Sequence, residues 1–391
     1  MVHAKPSICF VSHFAYGALS GGQRGHIGGT ERQAVLMTHW LAQQGYPVTA
    51  LTWDEGQIDD LSVDGVRIVK LCRLADGIRG LRFFHPRWSS LVRAMARADA
   101  DIYYQNCGEY VTGQVAMWCQ RHGRRFVYST ANDTDCDPTL PELPTLRERI
   151  LYRYGLRHAD RIIVQTRRQQ QMLRQAFGHD STVLPMPCPN PSGAHLAGPD
   201  FGHPAGRRVL WVGRICRQKR PDRLLELAGA CPDLQFDFVG PASEGGYSQE
   251  ILARARQMHN VTVHGPAPRE RMPEMYSRAA CLCCTSDYEG FPNTFLEAWS
   301  QGLPIVSMFD PDDLIAQCGL GRYAQDMPGL ILGLRDLLGS PQRWRVVSGR
   351  CRTHFLQTYS LELAMPRFER VFQEVLRLAA KTREPEPSRW N

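Results

Sequence analysis

The sequence predicts a parallel α/β protein built from two open-sheet domains. Three observations carry that prediction. Short apolar runs alternate with helix-length segments along nearly the whole chain. One proline- and glycine-rich stretch, between Pro185 and Gly206, interrupts the alternation. The chain has 391 residues, which at about 150 per domain fits two domains.

In the first half, strands are expected at Ile8–Ser12, Val48–Thr52, Val66–Leu71, Asp101–Tyr104, Phe126–Ser129 and Arg161–Gln165. Between the first two, Thr30–Gln44 reads as a helix, with Leu36/Trp40 and Met37/Leu41 paired at i,i+4. After the break, strands are expected at Val209–Val212, Phe236–Val239, Val261–His264, Cys281–Thr285 and Ile305–Ser307. Near the end, Phe368, Val371, Phe372, Val375 and Ala379 share one helical face, after Pro366. So apolar a helix must dock, and the first half is the expected surface. The expected domains are therefore 1–190, with the helix of about 361–380 packing back on it, and 207–360, joined by a linker at 191–206. Glu384–Asn391, with two prolines, reads as a frayed end.

Composition narrows the class. Hydrophobic residues make up 43% of the chain and charged residues 22%, as in an ordinary folded protein and unlike a disordered one. No apolar run reaches the length of about 18 residues that a spanning helix needs. The first strand begins almost at once, with no apolar signal core before it, and the thirteen cysteines are an odd number. A cytoplasmic, reduced protein is expected. The net charge is +7, and 42 of the 46 basic residues are arginine; the lysines are Lys5, Lys70, Lys219 and Lys381. With no long run of like charge and no zinc-finger or RNA-recognition signature, nucleic acid is not an expected partner. An acidic small molecule or an anionic membrane face suits the charge better.

Ligands of open parallel sheets bind beyond the carboxyl ends of the strands, so the segments there decide the function. After the first strand comes Ser20-Gly21-Gly22-Gln23-Arg24-Gly25-His26-Ile27-Gly28-Gly29-Thr30, whose spacing is not the dinucleotide fingerprint. Gly28 and Gly29, just before a helix, would let backbone approach a phosphate or sugar, while Thr30 reads as an N-cap. The second half opens with a strand ending in Gly213-Arg214, followed by Lys219, two cations at a strand tip that suit a phosphate. After Cys281–Thr285 comes Glu289-Gly290-Phe291-Pro292-Asn293-Thr294-Phe295-Leu296-Glu297, two glutamates eight apart across a turn and a helix start. The amides of Gly290–Thr294 are placed to receive a phosphate or a hydroxyl. Thr294 to Glu297 also fits a capping box, in which Glu297 would bond its own helix start.

This set resembles the retaining glycosyltransferases of family 4, which have the two-domain GT-B fold. Gly213-Arg214 through Lys219 looks like their diphosphate signature, Glu289-x7-Glu297 like their glutamate pair, and Gly28-Gly29 like their N-terminal glycine loop. The resemblance implies two Rossmann-like doubly wound domains facing a central cleft. It implies a nucleotide-diphosphate sugar, UDP- or GDP-linked, as donor and a glycan or lipid-linked molecule as acceptor, in polysaccharide or glycoconjugate assembly. Arg214, Lys219 and Glu289 would carry the chemistry. Gly28, Gly29, Gly213, Gly290, Phe291, Pro292, Asn293, Thr294 and Glu297 would hold the donor, with Glu297 on the ribose. It implies no resident cofactor and no metal. Cys281-Leu282-Cys283-Cys284 accordingly reads as part of a buried strand whose residues alternate between faces.

Where many relatives carry a histidine after an N-terminal-domain strand, this chain reads Thr130-Ala131-Asn132-Asp133-Thr134-Asp135, so Asn132, Asp133 or Asp135 is the expected acceptor-side residue; a plain polar loop is the other reading. Residues 79–97 combine Arg79, Arg82, Arg87, Arg93 and Arg97 with Phe83, Phe84 and Trp88, which suits either peripheral contact with an anionic membrane or a solvated helix. Two other functions share the architecture: a nucleotide-sugar epimerase, which needs no acceptor, and a non-catalytic nucleotide-sugar-binding subunit.

Overall fold

The structure is a computed structural model that describes residues 5–21, 28–191, 199, 201, 206–243 and 245–383. Residues 22–27 of the glycine loop, most of the expected linker and the Glu384–Asn391 tail lie outside the described residues. The chain divides into two compact units: residues to Pro187 together with those from Glu362, and Cys188–Leu361. The first boundary falls a few residues before the expected 190.

The N-terminal unit holds strands β1 (Ile8–Val11), β2 (Val48–Thr52), β3 (Leu61–Val63), β4 (Val66–Lys70), β5 (Ile102–Asn106), β6 (Arg125–Ser129), β7 (Arg161–Val164) and β8 (Thr182–Val183). They form one sheet in the order β3-β4-β2-β1-β5-β6-β7-β8, parallel except for β3. Its helices are α1 (Tyr16–Leu19), α2 (Gly29–Gln43), α3 (Ser89–Ala98), α4 (Tyr110–His122), α5 (Leu146–His158) and α6 (Arg167–Phe177). The C-terminal unit holds β9 (Arg208–Val212), β10 (Gln235–Val239), β11 (Val261–Gly265), β12 (Cys281–Cys284), β13 (Ile305–Ser307) and β14 (Gly321–Tyr323), ordered β11-β10-β9-β12-β13-β14. Its helices are α7 (Pro221–Ala230), α8 (Gly246–Gln257), α9 (Met272–Arg278), α10 (Asn293–Ser300), α11 (Leu314–Cys318), α12 (Met327–Leu338) and α13 (Pro341–Thr358); α14 (Leu361–Arg383) ends the chain.

The central strands are buried on both faces, so they read in sequence as continuous apolar runs. One face of the N-terminal sheet contributes Cys9, Val11, Leu51, Tyr103, Phe126 and Tyr128 to a core closed by α3, α4 and α5. On the other face Tyr104 packs on Phe10 (4.8 Å) and on Phe372 of α14 (5.9 Å, edge to face). Phe368, Phe372 and Val375 are fully buried there, and Tyr46 donates to the Glu369 carboxylate at 2.5 Å. The last helix is thus part of the first unit's core, each such side chain contributing about 1.5–3 kcal/mol.

Helices α4 and α5 cross at two glycines. A Cβ on Gly113 would lie 2.1 Å from the Leu151 carbonyl oxygen, and one on Gly155 would lie 2.6 Å from the Thr112 carbonyl carbon. Nothing larger than hydrogen fits at either position.

Three strands lay outside the sequence expectation. β3 is a three-residue antiparallel edge, β8 has two residues, and β14 begins with glycine; none has an apolar run. Two capping expectations are corrected. Helix α2 starts one residue earlier, with Gly28 as N-cap, and the Thr30 hydroxyl turns to Glu31 instead (3.0 Å). Helix α10 is capped by Pro292 with no side-chain cap, so Thr294 and Glu297 form no capping box.

All thirteen cysteines are free: nine are buried, Cys72, Cys107 and Cys216 are half-buried, and Cys318 is exposed. Cys281, Cys283 and Cys284 lie within the central strand β12, where burial pushes their thiols up. Among the described residues, no three His, Cys, Asp or Glu side chains gather as a metal site.

Candidate active site

A doubly wound sheet opens a crevice where neighbouring strands lead away to opposite sides. In the C-terminal unit that point lies between β9 and β12, and both sequence motifs follow those two strands. The loop after β9 is drawn against the loop after β10: the Gly213 amide donates to Val239 (3.0 Å) and the Ile215 amide to Pro241 (2.9 Å). The approach is close enough that a Cβ on Gly240, at φ +144°, would meet the Gly213 oxygen at 1.8 Å. Arg214 emerges from this junction exposed, with no hydrogen bond or ion pair among the described residues.

The turn carrying Lys219 (Arg217–Lys219) is pinned to the loop after β12. The Thr285 hydroxyl accepts from the Trp211 indole (3.0 Å) and donates to the Lys219 carbonyl (2.8 Å). The Asp287 amide donates to the Gln218 carbonyl (2.9 Å), and the Gln218 side chain donates to the Tyr288 carbonyl (2.9 Å). This frame brings the Lys219 ammonium into an ion pair with the Glu289 carboxylate. The Ser286 hydroxyl donates to the same oxygen of Glu289 at 2.6 Å. Glu289 is buried and Lys219 half-buried, so the pair is shielded from bulk screening. Beside it Arg223 reaches the Thr285 carbonyl (3.1 Å) and Asp287 (2.7 Å). Burial pushes Asp222 up, but hydrogen bonds from Arg220 and Tyr247 outweigh it and hold its carboxyl below the usual range.

Gly290, Phe291 and Pro292 are buried, and Asn293 and Thr294 begin α10 half-buried. The Phe291 ring packs against Tyr359 (5.3 Å) and Trp299 (6.0 Å), so its side chain anchors the loop. Glu297 is half-buried in α10 and accepts from the Tyr276 hydroxyl of α9 at 2.6 Å. The structure therefore joins Lys219 directly to Glu289 and places Arg214 and Glu297 on neighbouring elements.

In the N-terminal unit the corresponding point lies between β1 and β5. Gly28 and Gly29 lead into α2, whose Glu31 is buried. The expected acceptor-side residues follow β6 in a tight turn, and each has a local task. Asn132 accepts from the Asp133 amide (2.8 Å), and Asp135 accepts from the amides of Ala131 (2.7 Å) and Asn132 (3.1 Å). Asp133 accepts from the Gln169 side chain (3.1 Å). Burial pushes the Asp135 carboxyl up to about 6 against those amide hydrogen bonds.

Two residues that follow β1 and β5 escaped the sequence reading, because each stands alone without a motif. His13 is 8% exposed, its ring lies 4.5 Å from that of Trp53, and its Nε2 has no hydrogen-bond partner among the described residues. Burial, helped by Arg87, lowers its pKa to about 4, so it is neutral at ordinary pH. Glu109 precedes α4; burial, then the charges of Glu31 and Asp135, push its carboxyl up to about 7. A carboxyl with its pKa raised on folding supports the fold below its unfolded value and loses that support as pH rises through 7. Glu109→Gln is therefore expected to leave stability unchanged near pH 4 and to raise it by about 1 kcal/mol at pH 8.5, after discounting for partial exposure. Melting curves at the two pH values check this; equal effects at both would show that Glu109 does not titrate in this range.

Known proteins share this two-sheet architecture. Residues 28–189 match the glycosyl transferase 4-like domain, and residues 203–310 match the glycosyl transferases group 1. The chain belongs to the glycosyltransferases of this two-domain, GT-B kind. It is 29% identical over 248 residues to the D-inositol 3-phosphate glycosyltransferase of Nocardiopsis dassonvillei, a match covering 56% of this chain and 57% of that protein. It is 25% identical to the corresponding protein of Mycobacteroides abscessus, over 72% of this chain and 70% of that one. The chain thus spans little more than half of the first relative's length. Among solved structures, the sucrose-phosphate synthase of Thermosynechococcus elongatus shares the fold with a TM-score of 0.78 at 18% identity, over 96% of this chain and 100% of that chain. Anabaena HepE, solved with UDP, gives 0.72 at 15% identity, over 94% and 100%.

Proposed function

We propose that this protein is a retaining glycosyltransferase. It moves a sugar from a UDP- or GDP-linked donor to a glycan or lipid-linked acceptor in polysaccharide or glycoconjugate assembly, at the cytoplasmic face of a membrane. The observation that carries the reading is the Lys219–Glu289 pair, framed at the point where the C-terminal sheet changes winding direction. The relatives named glycosyltransferases, and the HepE structure with UDP, support it.

In this reading the donor diphosphate displaces Glu289 from Lys219, and Lys219 with Arg214 neutralises the charge that grows on the leaving phosphate. Glu289 then accepts hydrogen bonds from the donor sugar, and Glu297, oriented by Tyr276, from the ribose. The sugar C1–O bond to phosphate breaks as the acceptor oxygen bonds to C1 on the same face. The acceptor proton passes to the departing phosphate, so the step balances without a protein base. Asn132, Asp133 and Asp135 shape the acceptor side through their turn. No cofactor takes part, and nucleic acid is not a partner.

A thermal-shift comparison with UDP, GDP, ADP and dTDP tests the donor. One nucleotide, at about 100 times its dissociation constant, is expected to add roughly 2.7 kcal/mol of stability, and to do so selectively. Absence of any shift would sink the donor-site assignment. Turnover of the nucleotide sugar without acceptor would mark an epimerase instead.

A further inference from the structure

The N-terminal unit carries an apolar surface that its fold leaves uncovered. The chain between β4 and α3 doubles back on itself. Arg87 donates to the Leu74 carbonyl at 2.7 Å, and a Cβ on Gly77 would come within 2.5 Å of the Pro86 ring. The Leu81 and Arg82 amides both donate to the Ile78 carbonyl, at 3.0 and 2.8 Å. This fold-over sends Phe83 inward against Tyr110 (5.2 Å). It leaves Ile78, Leu81 and Phe84 exposed by 73%, 61% and 55%, with Leu74 beside them in sequence at 44%. The Arg147 guanidinium lies 3.7 Å over the Phe83 ring, which brings the start of α5, with Leu146 and Ile150 exposed, to the same region. These six are nearly half of the thirteen exposed large hydrophobic side chains among the described residues.

Charge decides what such a face would meet. Between residues 73 and 93 there are five arginines and one acidic residue, Asp76. A protein partner would have to bury those cations opposite matched carboxylates, whereas an anionic bilayer offers phosphates around an apolar interior. Apolar insertion and a basic collar are the two signals that together hold a peripheral protein. Each arginine near such a surface adds to the attraction.

We propose that this face seats on an anionic lipid bilayer, with Ile78, Leu81 and Phe84 entering the acyl boundary and Arg79 and Arg82 meeting headgroup phosphates. This locates the membrane partner of the proposed function. It differs from the sequence expectation, since Phe83 faces the core and Ile78 and Leu81 face out.

The test is co-sedimentation of the full chain, without donor or acceptor, on phosphatidylglycerol and on phosphatidylcholine vesicles. Failure of the transferase reading would leave this readout untouched. Binding to the anionic vesicles is expected to exceed binding to the neutral ones at least tenfold and to weaken with salt. The combined Ile78→Ser, Leu81→Ser, Phe84→Ser variant is expected to lower binding at least tenfold with its melting midpoint retained, since all three side chains are exposed. Arg79→Glu with Arg82→Glu should do the same, and decides the matter if the serine variant does not fold. Equal binding to both vesicles, or unchanged binding by the variants, would overturn the proposal. So would a dimer in sedimentation velocity that the serine variant disperses, because the face would then belong to a second copy.

Discussion

Lys219→Ala is expected to lower turnover by roughly 10²–10³ with the donor that the nucleotide comparison selects, the loss seen when one preorganised charge-stabilising donor is removed. Lysine at 219 is held by its surroundings: its carbonyl accepts from Thr285, and Glu289 receives its ammonium. Removing it leaves Glu289 buried with Ser286 as its hydrogen-bond partner, a situation expected to cost about 1 kcal/mol of stability. The two effects separate cleanly. A structural role predicts a lower melting midpoint with turnover preserved in the molecules still folded. The proposed role predicts a fall in kcat that exceeds anything the midpoint explains, with Lys219→Arg recovering part of it because the charge is restored. Near-normal kcat in Lys219→Ala would remove the residue from the chemistry.

The largest effect on stability is expected at the α4–α5 crossing. Gly113→Ala places a methyl group 2.1 Å from a backbone oxygen of the facing helix, so the helices must move apart or the chain must distort. The expected loss is about 3 kcal/mol or more, at the upper end of overpacking costs, because a backbone carbonyl has no rotamer to escape into. Gly349→Ala serves as the counterpart. It lies in α13, exposed, with nothing within 4 Å of its Cβ position, and is expected to gain roughly 0.5–1 kcal/mol. Denaturant titration of both variants checks the pair. A Gly113→Ala midpoint matching that of the unaltered chain would mean that the helices do not approach so closely.

The two positions show why some of this molecule was legible in its sequence and some was not. Buried parallel strands print themselves as apolar runs, so Val48–Thr52 and Ile305–Ser307 carried their own boundaries. The edge strands β3 and β14 bury less and print nothing. A glycine at a helix crossing looks like a glycine anywhere until the partner helix is known. The motifs of the candidate site were readable because glycine, cation and glutamate stand close together after two strands of one half of the chain. What holds them was not: Tyr276 reaches Glu297, and Trp211 reaches Thr285, across elements that sequence spacing does not connect. Thr294 shows the cost of local reading, since a good capping pattern lost to a helix that starts at Asn293 behind Pro292. His13 and Glu109 are single residues whose chemistry comes entirely from what folds around them.

The distribution of thiols turns this chain into its own reporter. Thirteen sulfhydryls are present without a disulfide, and Cys318 alone among them is exposed. A maleimide dye added to the folded protein should therefore mark Cys318 first, giving a label in the C-terminal unit without engineering. The nine buried thiols divide between the two units, with Cys9, Cys119 and Cys136 in the first and Cys188, Cys231, Cys281, Cys283, Cys284 and Cys351 in the second. Their rates of modification would then time the opening of each half separately, and mass spectrometry of the labelled peptides would say which half loosens first.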